Sequence, residues 1–169
     1  MQFFFTGFMG CGKSFWGNAL ASIYQQPFID LDKQLESQTQ SSISIILQEK
    51  GIDFFRQTES HLLTHCIQTF PNFILSTGGG TPCYSDNMQQ MKIAGIVIYL
   101  QATPWFLFER LKNDRDHRPL LANIPEEHLL ESIEKLLMER EQFYTKAHYI
   151  LQAETFNEAI FENIYNTHA

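Results

Sequence analysis

The sequence predicts a three-layer α/β/α fold, a five-stranded parallel sheet covered by helices on both faces. Two observations predict it. Short apolar runs alternate with helical patterns along the whole chain, and such alternation builds parallel sheets with the helices as crossovers. The first run, Phe3-Phe4-Phe5, leads directly into Gly7-Phe8-Met9-Gly10-Cys11-Gly12-Lys13-Ser14. That stretch fits G-x-x-x-x-G-K-[ST], the phosphate-binding loop that joins a strand to a helix.

After the loop, Phe15, Ala19, Leu20 and Ile23 recur at helical spacing and predict a helix that stops before Pro27. Phe28-Ile29-Asp30-Leu31-Asp32 reads as a short buried strand ending in carboxylates. Two helical patterns follow, Ser42 to Lys50 and Asp53 to about Phe70, broken at Gly51; Phe55, Leu62, Leu63, Cys66 and Ile67 give the second its apolar face. Phe73-Ile74-Leu75 makes a third strand and runs into Thr77-Gly78-Gly79-Gly80-Thr81-Pro82, a turn that no helix or strand is expected to contain. A short helix near Asp86 to Lys92 precedes Ile96-Val97-Ile98-Tyr99-Leu100, the clearest β signal in the chain. Thr103-Pro104 is a helix start, with Thr as cap and Pro at the first position, and that helix runs to about Lys112. Asn113 to Asn123 is polar and basic, carries Arg115, His117 and Arg118, and reads as a mobile loop. Pro125, or the acidic pair after it, opens a long helix through Lys146. Tyr149-Ile150-Leu151 is the fifth strand, and a last helix spans about Asn157 to Tyr165.

At 169 residues the chain is one domain's worth, long enough to bury about two-thirds of its unfolded surface. Most of its 15 Phe belong in the core, and an exposed few near the loop could cover a ligand. A formal net charge of −7 argues against nucleic acid or an anionic membrane as partner, because both need basic surface. The cysteines Cys11, Cys66 and Cys83 show no C-x-x-C spacing, which argues against a disulfide framework or zinc site and fits a reducing cytoplasm. No stretch approaches the ~20 apolar residues that span a bilayer, so a soluble cytoplasmic protein is expected.

The informative residues cluster at expected strand ends, where open α/β sheets bind ligands. In the loop, glycines let backbone N–H groups converge on phosphate oxygens, Lys13 would reach the β- and γ-phosphates, and the Ser14 hydroxyl would bind Mg²⁺. If strand geometry persists, Asp30 and Asp32 lean to one face. One would then hold water on Mg²⁺ and the other accept a proton from an attacking hydroxyl; the alternative is a solvated turn with a helix-capping Asp. Arg56 and Glu59 stand three apart on a helix, either as a surface ion pair or as a guanidinium oriented to clamp a carboxylate. Arg140, flanked by Glu139 and Glu141, is open to the same two readings. Gly78, Gly79 and Gly80 contribute nothing to packing, which close approach of backbone to a ligand would explain and a tight turn would also allow.

Taken together these motifs resemble shikimate kinase, a small phosphate-loop kinase related in fold to the nucleoside monophosphate kinases. The resemblance spans nearly the whole chain. It rests on the phosphate loop, Phe28-Ile29-Asp30-Leu31-Asp32, Phe55-Arg56-Gln57-Thr58-Glu59, the triple glycine, Arg118-Pro119-Leu120-Leu121 and Arg140-Glu141-Gln142-Phe143-Tyr144, in the family's order. It implies a P-loop NTPase domain over 1–169, with substrate-binding helices at about 32–60 and a lid at about 113–124. The implied reaction is ATP-dependent phosphorylation of the shikimate 3-hydroxyl in chorismate biosynthesis, with Mg²⁺ as cofactor and a monomeric enzyme. Gly10, Cys11, Gly12, Lys13, Ser14 and Phe15 would surround the phosphates, Arg110 would lie against adenine, and Arg118 would close over the phosphates. Asp32, Arg56, Gly78, Gly79, Gly80 and Arg140 would hold shikimate, with Asp32 as base and both arginines on the carboxylate. Ser14 would meet the metal directly and Asp30 through water. The chain departs from the family at Phe15, where Thr is usual, and at Ile45 and Ile52, where Glu is frequent. A kinase for another polar acceptor such as gluconate, or a catalytically silent nucleotide-binding module, is the competing expectation.

Overall fold

The computed structural model describes residues 1–114 and 120–168. Five parallel strands lie in the order β2-β3-β1-β4-β5: β1 Gln2–Thr6, β2 Phe28–Asp30, β3 Phe73–Ser76, β4 Ile96–Gln101 and β5 Tyr149–Gln152. Helices α1 Lys13–Ile23, α2 Leu31–Thr39, α3 Ile43–Thr69, α4 Asn87–Ala94, α5 Pro104–Leu111, α6 Glu126–Tyr144 and α7 Glu158–His168 connect and cover them. The fold is the expected three-layer α/β/α with a five-stranded parallel sheet.

β1 is central because it can be buried on both faces. Its three consecutive Phe side chains alternate across the pleat. Phe3 and Phe5 enter a layer built with Leu20, Leu107, Leu111, Ile133 and Phe161, whereas Phe4 enters the opposite layer with Leu31, Leu35, Phe55, Leu63 and Met91. One apolar run therefore supplies two cores, on the α1/α5/α6/α7 side and the α2/α3/α4 side.

Three local expectations give way to the structure. The buried face of α1 is Lys13, Gly17, Leu20 and Ala21, and Phe15 and Ile23 are 66% and 50% exposed. Lys13, drawn inward by the loop, sets the helix phase, and Gly17 lets the Phe28 ring close against it. The strand expected to reach Asp32 ends at Asp30, whose carboxylate accepts from the Lys33 N–H and caps α2. The carboxylates of Asp30 and Asp32 thus belong to a cap and a first helical turn, not to one face of a strand. Sequence periodicity overlooks α2 because only Leu31 and Leu35 are buried along it. Beyond the triple glycine, Thr81–Cys83 forms a 3₁₀ turn with Pro82 in its opening positions, where a missing N–H costs nothing.

The helical patterns on either side of Gly51 are interrupted there as expected: Gly51 takes a non-helical φ 81°, ψ 172° within α3, whose start is capped by the Ser42 hydroxyl. No helix among the described residues is long and apolar enough to cross a membrane.

Candidate active site

The phosphate loop turns sharply between β1 and α1, with Gly12 at φ 105° at the helix entry. Inside it the Lys13 ammonium donates to the carbonyls of Gly7 (2.9 Å) and Phe8 (2.8 Å), and lies 3.8 Å from the Cys11 sulfur. It is 7% exposed. The loop's own oxygens hold the cation where an anion's oxygens would replace them. The Cys11 side chain is buried.

One residue further, the Ser14 hydroxyl donates to Asp30 Oδ2 at 2.7 Å and lies 3.2 Å from the Ser76 hydroxyl. Asp30 and Ser76 are register partners at the carboxyl ends of β2 and β3, so three oxygen side chains meet beside the loop. Mg²⁺ takes hard oxygen ligands, usually one or two from the protein with water and substrate phosphates completing the shell. This donor set fits it, and among the described residues no cluster of three His, Cys, Asp or Glu offers a dedicated metal cage. Ser76 escapes sequence reading; its only signal is a lone hydroxyl at the end of an apolar strand.

The triple glycine is where charged side chains converge. An added Cβ on Gly78 would stand 2.7 Å from both Asp32 Oδ1 and Glu59 Oε1, and one on Gly80 would overlap the Arg56 guanidinium. On Gly79 it would meet Arg140 Nη1 at 3.1 Å and the Met9 backbone nitrogen at 3.4 Å. Bare backbone is thus required for four charged side chains to close on one turn, and the same turn abuts the phosphate loop.

Arg56 and Glu59 are not a solvated pair. Their contact is 2.6 Å, with side-chain exposures of 15% and 0%. Glu59 also accepts from the Thr81 hydroxyl at 2.5 Å, so its buried carboxylate is both paired and hydrogen-bonded. Arg140 is 8% exposed, its guanidinium 5.7 Å from the Phe8 ring centre. Its Nη1 has no hydrogen-bond partner. A buried guanidinium with an orphan donor beside Gly79 suits an incoming anion. Nearby, burial pushes the Cys83 thiol pKa up while Arg140 and Arg56 oppose the shift.

Arg110 is exposed, packs over Phe106 at 5.1 Å, and reaches the loop's flank, 3.7 Å from where a Gly12 Cβ would be. The Phe15 side chain is exposed, edge-on to Trp16 at a ring-centre distance of 5.3 Å. It lines an open cleft of about 730 Å³ with Ser14, Asn18, Phe28, Asp30 and Lys33. That cleft touches the Ser14–Asp30 pair but none of Arg56, the glycines or Arg140. Arg118, with its neighbours 115–119, lies outside the described residues.

A family model described as shikimate kinase matches residues 9–169. A shikimate kinase of Phocaeicola vulgatus is 38% identical over 157 residues, covering 93% of this chain and 89% of the relative. Among solved structures, shikimate kinase from Bacteroides thetaiotaomicron superposes with a TM-score of 0.87 at 36% identity, over 94% of this chain and 89% of that one. Shikimate kinase from Acinetobacter baumannii, solved in complex with shikimate, gives 0.85 at 28% identity, over 98% and 93%. A match that takes in nearly the whole chain, with relatives this similar over nine-tenths of their length, makes this protein a kinase and a member of the shikimate kinase family.

Proposed function

We propose that this chain transfers the γ-phosphoryl group of ATP to the 3-hydroxyl of shikimate, as a cytoplasmic enzyme of aromatic amino-acid biosynthesis. The observation that carries the reading is the convergence of Asp32, Arg56, Glu59 and Arg140 on the triple glycine, with Gly79 against the phosphate loop. An anionic ring held there would present a hydroxyl toward the loop.

In this reading Arg56, oriented by Glu59, and Arg140, through its orphan donor, take the shikimate carboxylate. Asp32, in the first turn of α2, orients the 3-hydroxyl and accepts its proton as the new O–P bond forms and the γ-phosphorus parts from the β–γ bridging oxygen. Lys13 would leave the Gly7 and Phe8 carbonyls for the phosphates, and Gly10, Cys11, Gly12, Lys13, Ser14 and Phe15 would surround them with backbone N–H groups. Ser14 would hold Mg²⁺ directly and Asp30 through water; the ion supplies charge neutralisation on the phosphate oxygens. Arg110 would lie against adenine. Arg118, on a lid at about 113–124, would stabilise transferring charge and help exclude water, which prevents futile ATP hydrolysis.

The test is ADP release from MgATP with a panel of acceptors. Shikimate should stimulate it well above the background ATPase. Stimulation by gluconate instead would assign a different acceptor, and no stimulation by any acceptor would favour a nucleotide-binding module without transfer activity.

A further inference from the structure

We infer that Tyr144 is a positioning residue for the acceptor turn: its phenol O–H, donated to the Gly79 carbonyl, sets the orientation of the Gly79–Gly80 peptide. The inference rests on reading the triple glycine as the acceptor's binding turn.

Three glycines in a row have no side chains to restrict their backbone, so the turn must be oriented by contacts from outside its own φ/ψ preferences. Two of its carbonyls are held by local backbone: Thr81 N donates to Gly78 O at 3.2 Å and Cys83 N to Gly80 O at 3.0 Å. The carbonyl between them is held from α6, by the Tyr144 hydroxyl at 2.5 Å. Tyr144 has no exposed surface, and its ring is backed by Tyr99 at a centroid distance of 5.0 Å. The donor therefore has little freedom to follow the turn if the turn moves. In a trans peptide the C=O and N–H point opposite ways. Fixing the Gly79 carbonyl toward α6 thus turns the Gly80 N–H away from α6.

Arg140 lies four residues earlier on the same helix and therefore on the same face. Its Nη1 flanks Gly79 while Tyr144 bonds the Gly79 carbonyl. One helix thus places both an anion-binding group and the backbone next to it in a common frame. Burial pushes the phenol pKa far up, so the donor persists across the working pH range.

Replacing Tyr144→Phe keeps the ring and removes the donor. We expect the KM for shikimate to rise about tenfold while the KM for ATP stays within twofold of the parent. Tyr99→Phe, which removes the hydroxyl of the backing ring, should leave the shikimate KM within twofold. Should the Phe variant fail to fold, 4-fluorophenylalanine at position 144 fills the hydroxyl's space without donating and should give the same KM pattern. 4-Aminophenylalanine, which restores a donor, should return the shikimate KM toward the parent. Unchanged shikimate KM in the donor-less proteins, or equal effects on both substrates, would overturn the inference. A parent protein that shows no shikimate-dependent ADP release overturns the functional reading itself, and the inference with it.

Discussion

Glu59 illustrates how much a single residue's meaning depends on its surroundings. In the sequence it is the second half of an i, i+3 pair with Arg56, of a kind that contributes well under ~1 kcal/mol on a solvated helix. In the structure it has no exposed surface, and it is held by Arg56 and Thr81. Burial converts a weak surface bridge into a fixed mount for a guanidinium. Arg56→Ala should therefore raise the shikimate KM roughly 10- to 100-fold, as expected for a charge-assisted hydrogen bond, and leave the ATP KM within twofold. Steady-state kinetics with each substrate varied would check this, and equal effects on both would remove Arg56 from the acceptor side. The variant should also be less stable, because Glu59 is left buried without its cation. Asp30 and Asp32 show the same dependence: two residues apart in sequence, one caps α2 and meets Ser14, while the other reaches the triple glycine from inside the helix.

At the scale of elements, strongly patterned pieces match their expected places. Thr103 accepts from the Phe106 N–H to cap α5, and its own N–H and hydroxyl are both taken by Glu154. The contact from α5 to the β5–α7 connection is long-range and has no sequence signal. A similar seam joins β4 to the entry of β5: the Val97 N–H donates to His148 Nδ1 at 3.0 Å, and the His148 N–H returns to the Val97 carbonyl at 2.9 Å. Only an unprotonated Nδ1 can accept. Desolvation, with Lys92 and His168 adding positive charge nearby, holds the His148 pKa below its ordinary 6.5. A histidine whose folded pKa is depressed stabilises the fold above the unfolded value, and that contribution is lost as pH falls through 6.5 toward the folded value. The urea midpoint of the parent should thus decline more steeply from pH 7.5 to 5.5 than that of His148→Asn, whose amide oxygen can accept at any pH. Parallel profiles would show that the ring does not titrate against the fold.

Across the whole molecule, a chain of formal net charge −7 places Lys13, Arg56 and Arg140 around adjoining sites, two of them almost fully buried. The phosphate loop adjoins the triple glycine, with the Met9 backbone beside Gly79, and its Phe8 lies beneath Arg140 of α6. Shikimate should bind the native state and not the unfolded chain. At a hundredfold excess over Kd it adds about 2.7 kcal/mol, a rise of roughly 5–10 °C in Tm for a chain of this length. Thermal unfolding with and without shikimate measures it. Arg56→Ala should abolish the shikimate-dependent rise and retain the one produced by MgATP. Loss of both would mean that the two sites cannot be separated in this way.

The sequence by itself determined the layered parallel fold and the phosphate loop, because these depend on local pattern. Alternating apolar runs choose strand or helix over a few residues, and the loop's chemistry sits within eight consecutive positions. What only the tertiary structure decided is which of those residues share an environment. The burial of Glu59, Ser76 beside Ser14 and the hold of Tyr144 on Gly79 all arise between segments far apart in the chain. Burial and proximity are set by how the elements pack, and they carry no signature in the spacing of the residues they bring together.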